Sequence, residues 1–386
     1  MTENKENKTE FVAHVCPEDI FAIQKRILQG DFLNESYLSQ FIPVNSTNTL
    51  KRFCLYKSNA EKAWRGEDCD STLAAVVTYS LMYADWLDCD SIQWQPENEC
   101  KFCIKSKQID GYSNLYRGDA MTSAWTVFRE YLYQLWKVEP VDSPFRKLFS
   151  KSRYRNTLAT LNENDPYNFQ SYFFKLIIHD PASLYIIDSK ISPEAKAFLE
   201  NYLNAGNFIA VPEGFNTSRS NGGQWDTVDR ILWKIYQYFE LSKNDTFYLY
   251  QLLNLEVFAE KYTENEWSQL TYNRKQAKNY ADKIVKNCID WFNDAKINSW
   301  QDFVEKHMLE PFVDKENEWK PISLKTGGII EEKDLIRTKD TEKTGDYNPM
   351  PSTISECETF FKTVNKGIKE RNKLIWERCK ENYAKK

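Results

Sequence analysis

The apolar stretch at residues 73–87 constrains the fold of this 386-residue chain more than any other feature. Its sequence, LAAVVTYSLMYADWL, places apolar side chains nearly all the way round a helix, so such a helix must be enclosed by the core. Thr78, Ser80 and Asp85 interrupt the stretch, which is shorter than the ~20 residues that a membrane-spanning helix needs. We therefore expect a central core helix in a soluble, cytoplasmic protein that does not bind membranes.

Apolar residues three or four positions apart predict further helices along the chain. These helices are expected at residues 17–29, 120–136, 194–203, 225–240, 245–261, 273–295, 299–309 and 355–383. Short strands are expected at residues 184–187 and 208–211, whereas residues 88–115 are polar and predict turns. With only 12 Gly and 13 Pro, the chain has little material for the many turns of a β-sandwich. The predicted fold class is mainly α: a multi-helix globular fold with a few short strands.

Two serines and two tryptophans have specific expected roles in these helices. Ser192 and Ser299 each stand just before an expected helix, where a hydroxyl can accept a hydrogen bond from a free backbone amide, so both predict N-caps. Trp125 and Trp225 fall on the apolar stripes of their helices and predict core anchors.

Composition along the chain predicts its organisation without a sharp domain boundary. Residues 1–10 are polar and predict a disordered tail. Residues 11–312 are expected to form a helical core domain, as one body or as two subdomains. Residues 313–350 carry runs of charge, two prolines and a Gly-Gly pair, and predict an irregular segment. Residues 351–386 predict a C-terminal helix that packs on the core.

Charge and cysteine content restrict the partners and cofactors. The net charge of −5 gives no global basic field, which disfavours nucleic acid as a partner but leaves a local basic groove open. Nine cysteines, an odd number, favour reduced thiols over a disulfide framework. Cys100 and Cys103 form a close pair, but no second pair stands at the spacing of a zinc site. We expect no metal and no cofactor.

The segment NFIAVPEGFNTSRSNGGQWDTVDR, residues 207–230, is the first candidate site. A strand, a glycine-bearing loop and a helix in this order can hold a phosphate or carboxylate, because the helix N-terminus offers free amides and partial positive charge. Arg219 adds a fork of donors, and Asn216 and Asn221 can donate and accept. Neither G-x-x-x-x-G-K-[ST] nor G-x-G-x-x-G is present. The alternative is a tight turn in which Asp226 stabilises the helix start and pairs with Arg230.

A second candidate, Arg117-Gly118-Asp119, precedes the helix expected at residues 120–136. Asp119 is a candidate N-cap for that helix, and Arg117 can reach either a ligand or the cap. The carboxylates of Asp226 and Asp229, three residues apart, could hold a metal or exchange a proton, but such pairs are more often a solvated face. The predicted ligand-binding residues are Arg117, Asp119, Asn207, Asn216, Arg219, Asn221 and Asp226.

The leading functional interpretation is a module that binds a small anion or a protein partner near Arg219 and Arg117. One alternative is an enzyme acting on a phosphorylated substrate, nucleotide or nucleic acid. Asp180, Asp188 and Lys190 flank the strand expected at residues 184–187 in the outline of a metal-dependent nuclease, where carboxylates hold Mg²⁺. Another is an interaction protein with an exposed aromatic surface. Only three histidines are present, and G-x-S-x-G and H-E-x-x-H are missing, so whether the chain is an enzyme stays open.

Three segments together resemble a family of uncharacterised bacterial proteins, a domain of unknown function. They are YRGDAMTSAWTVFREYL, NAGNFIAVPEGFNTSRSNGGQWDTVDRILWKIY and NPMPSTISECETFFKTVNKGIKERNKLI, and the resemblance covers about residues 110–380. It implies a mostly helical bacterial cytosolic protein and brings no known activity or catalytic residue. The positions that match are Arg117, Asp119, Asn207, Phe208, Pro212, Asn216, Arg219, Trp225 and Asp226.

Overall fold

The structure is a computed structural model, and helices dominate it. It describes residues 13–14, 17–29, 73–95, 101–107, 114–148, 181–202, 204–216, 226–241, 244–336 and 346–385. The α-helices are α1 Pro17–Leu28, α2 Leu73–Met82, α3 Ala124–Val138, α4 Pro144–Leu148, α5 Pro181–Asp188, α6 Pro193–Asn201, α7 Val228–Tyr236, α8 Phe247–Leu252, α9 Glu264–Gln269, α10 Tyr272–Asp294, α11 Trp300–Lys306 and α12 Ile354–Ala384. The predicted fold class, mainly α with a few short strands, is confirmed.

The strands form one antiparallel sheet and two small hairpins. They are β1 Ala13–His14, β2 Leu87–Gln95, β3 Lys101–Ser106, β4 Leu115–Ala120, β5 Phe208–Pro212, β6 Val313–Asp314, β7 Lys320–Pro321, β8 Leu335–Ile336 and β9 Asp346–Tyr347. The main sheet has the order β1-β2-β3-β4-β5, so sequence neighbours lie side by side. Strands β6 and β7 pair with each other, as do β8 and β9, within the segment that was expected to be irregular.

Helix α2 is the central core helix that the sequence predicts. It packs against the sheet and α12, and every residue from Ala74 to Met82 is buried. Two hydroxyl groups inside it need partners, because an unpaired buried hydroxyl is costly. Thr78 Oγ1 donates to the Ala74 carbonyl at 2.8 Å, and Ser80 Oγ donates to the Val77 carbonyl at 2.8 Å. These local bonds let polar residues stand in a fully buried helix. Of the described helices, none is long and apolar enough to cross a bilayer.

A buried arginine ties α12 to the rest of the core. Arg371 has no exposed surface. Its Nη1 donates to the carbonyls of Ala205 at 3.3 Å, Gly206 at 2.9 Å and Phe208 at 2.7 Å, and its Nε donates to the His307 carbonyl at 3.0 Å. The guanidinium therefore joins α12 to the turn that precedes β5 and to the end of α11. Burial lowers the pKa of His307 well below its usual value, and the neighbouring Arg371 cation lowers it further, so this imidazole is neutral.

The predicted caps are confirmed at two helices. Ser192 Oγ accepts a hydrogen bond from the Ala195 amide at 3.2 Å, at the start of α6. Ser299 Oγ accepts one from the Asp302 amide at 3.1 Å, at the start of α11. Trp225 lies outside the described residues, and for Trp125 only the backbone, within α3, is described.

Three predictions of local secondary structure are wrong. Residues 184–187 lie in helix α5, because Leu184 and Ile187 are buried three positions apart while Tyr185 is 77% exposed, a helical period. Residues 88–115 contain β3, nearly all of β2 and the first residue of β4 in place of turns. The helix expected at residues 245–261 ends early at α8, since Asn254 takes a left-handed conformation with φ of 54°.

Candidate functional site

The two predicted residues Arg117 and Asp119 lie together on strand β4. Arg117 pairs with Val211 and Asp119 pairs with Ile209 across the antiparallel ladder to β5. Because side chains alternate along a strand, Arg117 and Asp119 share one face of the sheet and Tyr116 lies on the other. The Tyr116 hydroxyl donates to Asp294 on α10 at 2.6 Å. Arg117 and Asp119 therefore occupy the sheet face opposite α10.

Arg117 is a partly buried residue whose guanidinium could bind a ligand. Within the part of the chain that the structure describes, it has no hydrogen-bond or ion-pair partner. A guanidinium carries five donors in a planar fork, and those donors match the oxygens of a phosphate or carboxylate. Its position beside the end of β5 places it where the chain enters the loop predicted to bind an anion.

The sequence predicted that Asp119 caps the helix that follows it, and this prediction is wrong. It lies inside β4, only 3% exposed, and it has interactions of its own. The N-cap of α3 is Ser123, which makes no side-chain capping bond. The cap prediction failed because the strand continues to Ala120, which leaves three residues before the helix begins.

Asn207 is used by the scaffold at the same corner. Its side chain accepts from the Thr122 amide at 3.1 Å and donates to the carbonyls of Thr122 at 3.0 Å and Tyr202 at 2.8 Å. Both amide hydrogens are thus occupied, which leaves the second lone pair of the oxygen as the part of Asn207 that a ligand could use. The residue fixes the corner where β4 turns towards α3.

The structure joins the two predicted segments at that corner. The Ser123 amide donates to the Asp226 carbonyl at 3.0 Å, and Thr122 Oγ1 accepts from the Val228 amide at 3.1 Å. The start of α7 is therefore held against the end of β4, which carries Arg117. The sequence predicted both segments but contained no signal that they touch.

A glycine is required where the chain enters the loop. Gly214 has φ of 87°, and a Cβ placed there would lie 2.7 Å from Ile284 of α10, so this position requires glycine. Phe215 is buried against Trp291, and Asn216 is partly buried at the last described position before the loop. Arg219 and Asn221 lie outside the described residues. Asp226 is partly buried where the chain resumes.

The residues of the predicted metal-dependent nuclease pattern do not flank a strand, because residues 184–187 are helical. Asp188 is the last residue of helix α5 and pairs with Lys196 at 3.2 Å. Lys190 pairs with Glu139 at 2.8 Å, and Asp180 lies outside the described residues. Among the described side chains, no group of three His, Cys, Asp or Glu residues could hold a metal ion.

A buried ionic cluster on α7 escaped the sequence analysis. Lys234 Nζ lies 2.7 Å from Asp346 Oδ1, and Arg230 Nη2 lies 3.1 Å from Asp346 Oδ2. Lys234 also donates to the side-chain oxygens of Gln251 at 2.8 Å and Gln237 at 3.1 Å. Burial lowers the pKa of Lys234 to about 8, against the opposing effect of Asp346. Burial alone would raise the pKa of Asp346, but the two neighbouring cations hold it below its usual value.

Asp229, also on α7, forms a second buried set of hydrogen bonds. Asp229 Oδ2 accepts from the Leu324 amide at 3.0 Å and from the Tyr347 hydroxyl at 2.9 Å, and that hydroxyl lies 2.9 Å from Ser323 Oγ. Burial raises the pKa of both Asp229 and Tyr347. These bonds fasten β9 and the chain after β7 to α7. Asp229, expected on a solvated face, is therefore a core residue.

Comparison with family models, curated proteins and solved structures gives no match. What the site can bind therefore follows from its own geometry.

Proposed function

We propose that this protein is an anion-binding module whose ligand is held by Arg117 and by the loop at residues 213–224. One observation carries the proposal: Arg117 is a partly buried residue, and its guanidinium has no acceptor among the described residues. A hydrogen bond from a charged donor contributes about 1.5–3 kcal/mol, more than a neutral one. An anion at Arg117 would supply the acceptors that this guanidinium does not find in the described protein.

The N-terminus of α7 gives weaker support than the sequence suggested. The Val228 amide already donates to Thr122 Oγ1, and the Arg230 amide donates to the Asp229 side chain at 3.0 Å. Asp226 also carries negative charge at the same helix end. Binding of the ligand therefore depends chiefly on side-chain donors. Arg117 is the donor that the structure describes, and Arg219 and Asn221 are donors predicted from the sequence.

The test is a thermal-shift series with inorganic phosphate, nucleotides and short oligonucleotides. A ligand that binds the folded state alone raises the melting temperature, so at least one of these anions should stabilise the wild-type protein. Arg117→Ala should abolish the shift while leaving the melting temperature without ligand nearly unchanged. Lys261→Ala is the matched control, because it removes one exposed positive charge from a residue that is not part of any strand.

Two results would contradict the proposal. One is a wild-type melting temperature that none of the anions raises. The other is an Arg117→Ala variant that is destabilised equally with and without anion, since that pattern belongs to a scaffold residue. Chromatography of the nucleotide samples after incubation would separately reveal any turnover.

A further inference from the structure

The solvent side of α12 carries a row of four lysines. Lys362, Lys366, Lys369 and Lys373 are all exposed. Their spacings of four, three and four residues place them within about 60° of one another around the helix, at 100° per residue. The row is about 16 Å long at 1.5 Å per residue. We name these four residues the lysine face.

Most of the charge on the lysine face is uncompensated. Lys366 lies 4.0 Å from Glu370, at the limit of an ion pair. For the other three lysines, no described carboxylate lies within ion-pair distance. A chain with a net charge of −5 thus concentrates positive charge along one side of one helix.

The lysine face adds little to the stability of the helix that carries it. Like charges three or four positions apart repel each other on a helix, and Glu358, Glu370 and Glu377, each four residues from a lysine of the row, offset part of that repulsion. The opposite side of α12 supplies the packing, through buried residues such as Val364, Ile368 and Ile375. The row is exposed and does not contribute to the core, so its lysines are accessible to a partner.

We propose that the lysine face binds the phosphate backbone of a nucleic acid. A line of positive charge fits a linear polyanion, whereas a flat anionic membrane would also meet the exposed Glu377, which stands four residues from Lys373 on the same helix. Four lysines in a row offer contacts to phosphates, which position a strand without reading its sequence. The surface shares no residue with the Arg117 site and is independent of it.

The experiment measures binding of a labelled mixed-sequence oligonucleotide, single-stranded and duplex, by fluorescence anisotropy between about 50 and 200 mM salt. Each neutralised phosphate contributes about 0.7 to the salt slope for a single strand, so the wild type should show a log–log slope of about −2 to −3. The double variant Lys369→Gln with Lys373→Gln should bind more weakly and reduce the slope by about 1.4.

The matched control is Lys286→Gln on α10 with Lys315→Gln after β6. It removes the same number of charges from exposed side chains, and it should bind like the wild type. All variants should melt like the wild type, because exposed substitutions rarely change stability.

Several outcomes would overturn the proposal. They include no oligonucleotide binding at about 50 mM salt with protein at about 100 µM, or a slope that the lysine-face variant leaves unchanged. Binding to phosphatidylserine vesicles or polyglutamate in place of the oligonucleotide would assign the surface to another partner. If Arg117→Ala removes oligonucleotide binding and the lysine-face variant does not, the nucleic acid binds at the Arg117 site and the lysine-face proposal is wrong.

Discussion

At the residue scale, two buried cations, Arg371 and Lys234, each bind several acceptors in the core. Arg371 donates to backbone carbonyls of four residues, and among the described residues it has no ion pair with a carboxylate. Lys234 differs in that its ammonium group pairs with the Asp346 carboxylate and donates to two side-chain amide oxygens. In both residues the cost of removing a cation from water is offset by several good acceptors.

We predict that Arg371→Ala destabilises the protein by at least about 3 kcal/mol. The substitution leaves several buried carbonyls without their charged donor, and each such loss is costly. Urea unfolding measures the change in the free energy of unfolding. Lys373→Ala, two residues further along the helix and exposed, is the control and should unfold like the wild type. A small effect of Arg371→Ala would show that water replaces the guanidinium.

The ionic cluster predicts a pH dependence for Lys234. Its folded pKa is about 8, below the ordinary 10.5, so between these values the unfolded chain binds more protons than the folded one. The free energy of unfolding should therefore rise with pH across this window, by on the order of 2 kcal/mol, relative to Lys234→Met. Urea unfolding of both proteins at pH 8 and pH 10.5 measures the difference. A constant or falling difference would contradict the assignment.

At the element scale, the close approach between the turn before β5 and α12 sets the position of the sheet edge. The Gly206 amide donates to Asn372 Oδ1 at 2.6 Å, which holds the two backbones together. A Cβ on Gly206 would lie 2.2 Å from the Ile368 carbonyl oxygen. Because this neighbour is backbone, it can move only if the helix moves.

We predict that Gly206→Ala destabilises the protein by about 1–3 kcal/mol, the usual cost of overpacking a core. Gly328→Ala is the matched control, since the nearest atom to a Cβ there lies 3.9 Å away in Thr326. Differential scanning calorimetry on both variants gives the comparison. Equal melting temperatures for the two would mean that the turn and α12 are less closely packed than described.

The helices could be predicted from the sequence, but the sheet largely could not. Residues three or four apart on α10 and α12 repeat for many turns, so the helical period is plain. Strand β2 reads LDCDSIQWQ and mixes polar with apolar residues, and its register to β3 shifts between Asp88 and Gln93. Such strands are specified by cross-strand neighbours, which a single sequence does not display.

At the scale of the whole molecule, the candidate site could not be predicted in full either, because a single sequence does not show which distant segments lie side by side. The segments that carry Arg117 and Asp226 were predicted separately, and their contact depends on a ladder that joins residues about ninety positions apart. The cluster of Arg230, Lys234 and Asp346 was missed because charged residues on a helix usually face solvent. In this fold the chain after β7 covers them.

We have proposed that Arg117 binds an anion. Isothermal titration of the most stabilising anion into the wild type, Arg117→Lys and Arg117→Ala tests it most directly. We predict a single site in the wild type, weaker binding in Arg117→Lys, which keeps the charge but loses the planar fork, and none in Arg117→Ala. Equal affinity for the wild type and Arg117→Ala, with both proteins folded, would show that Arg117 does not bind the anion.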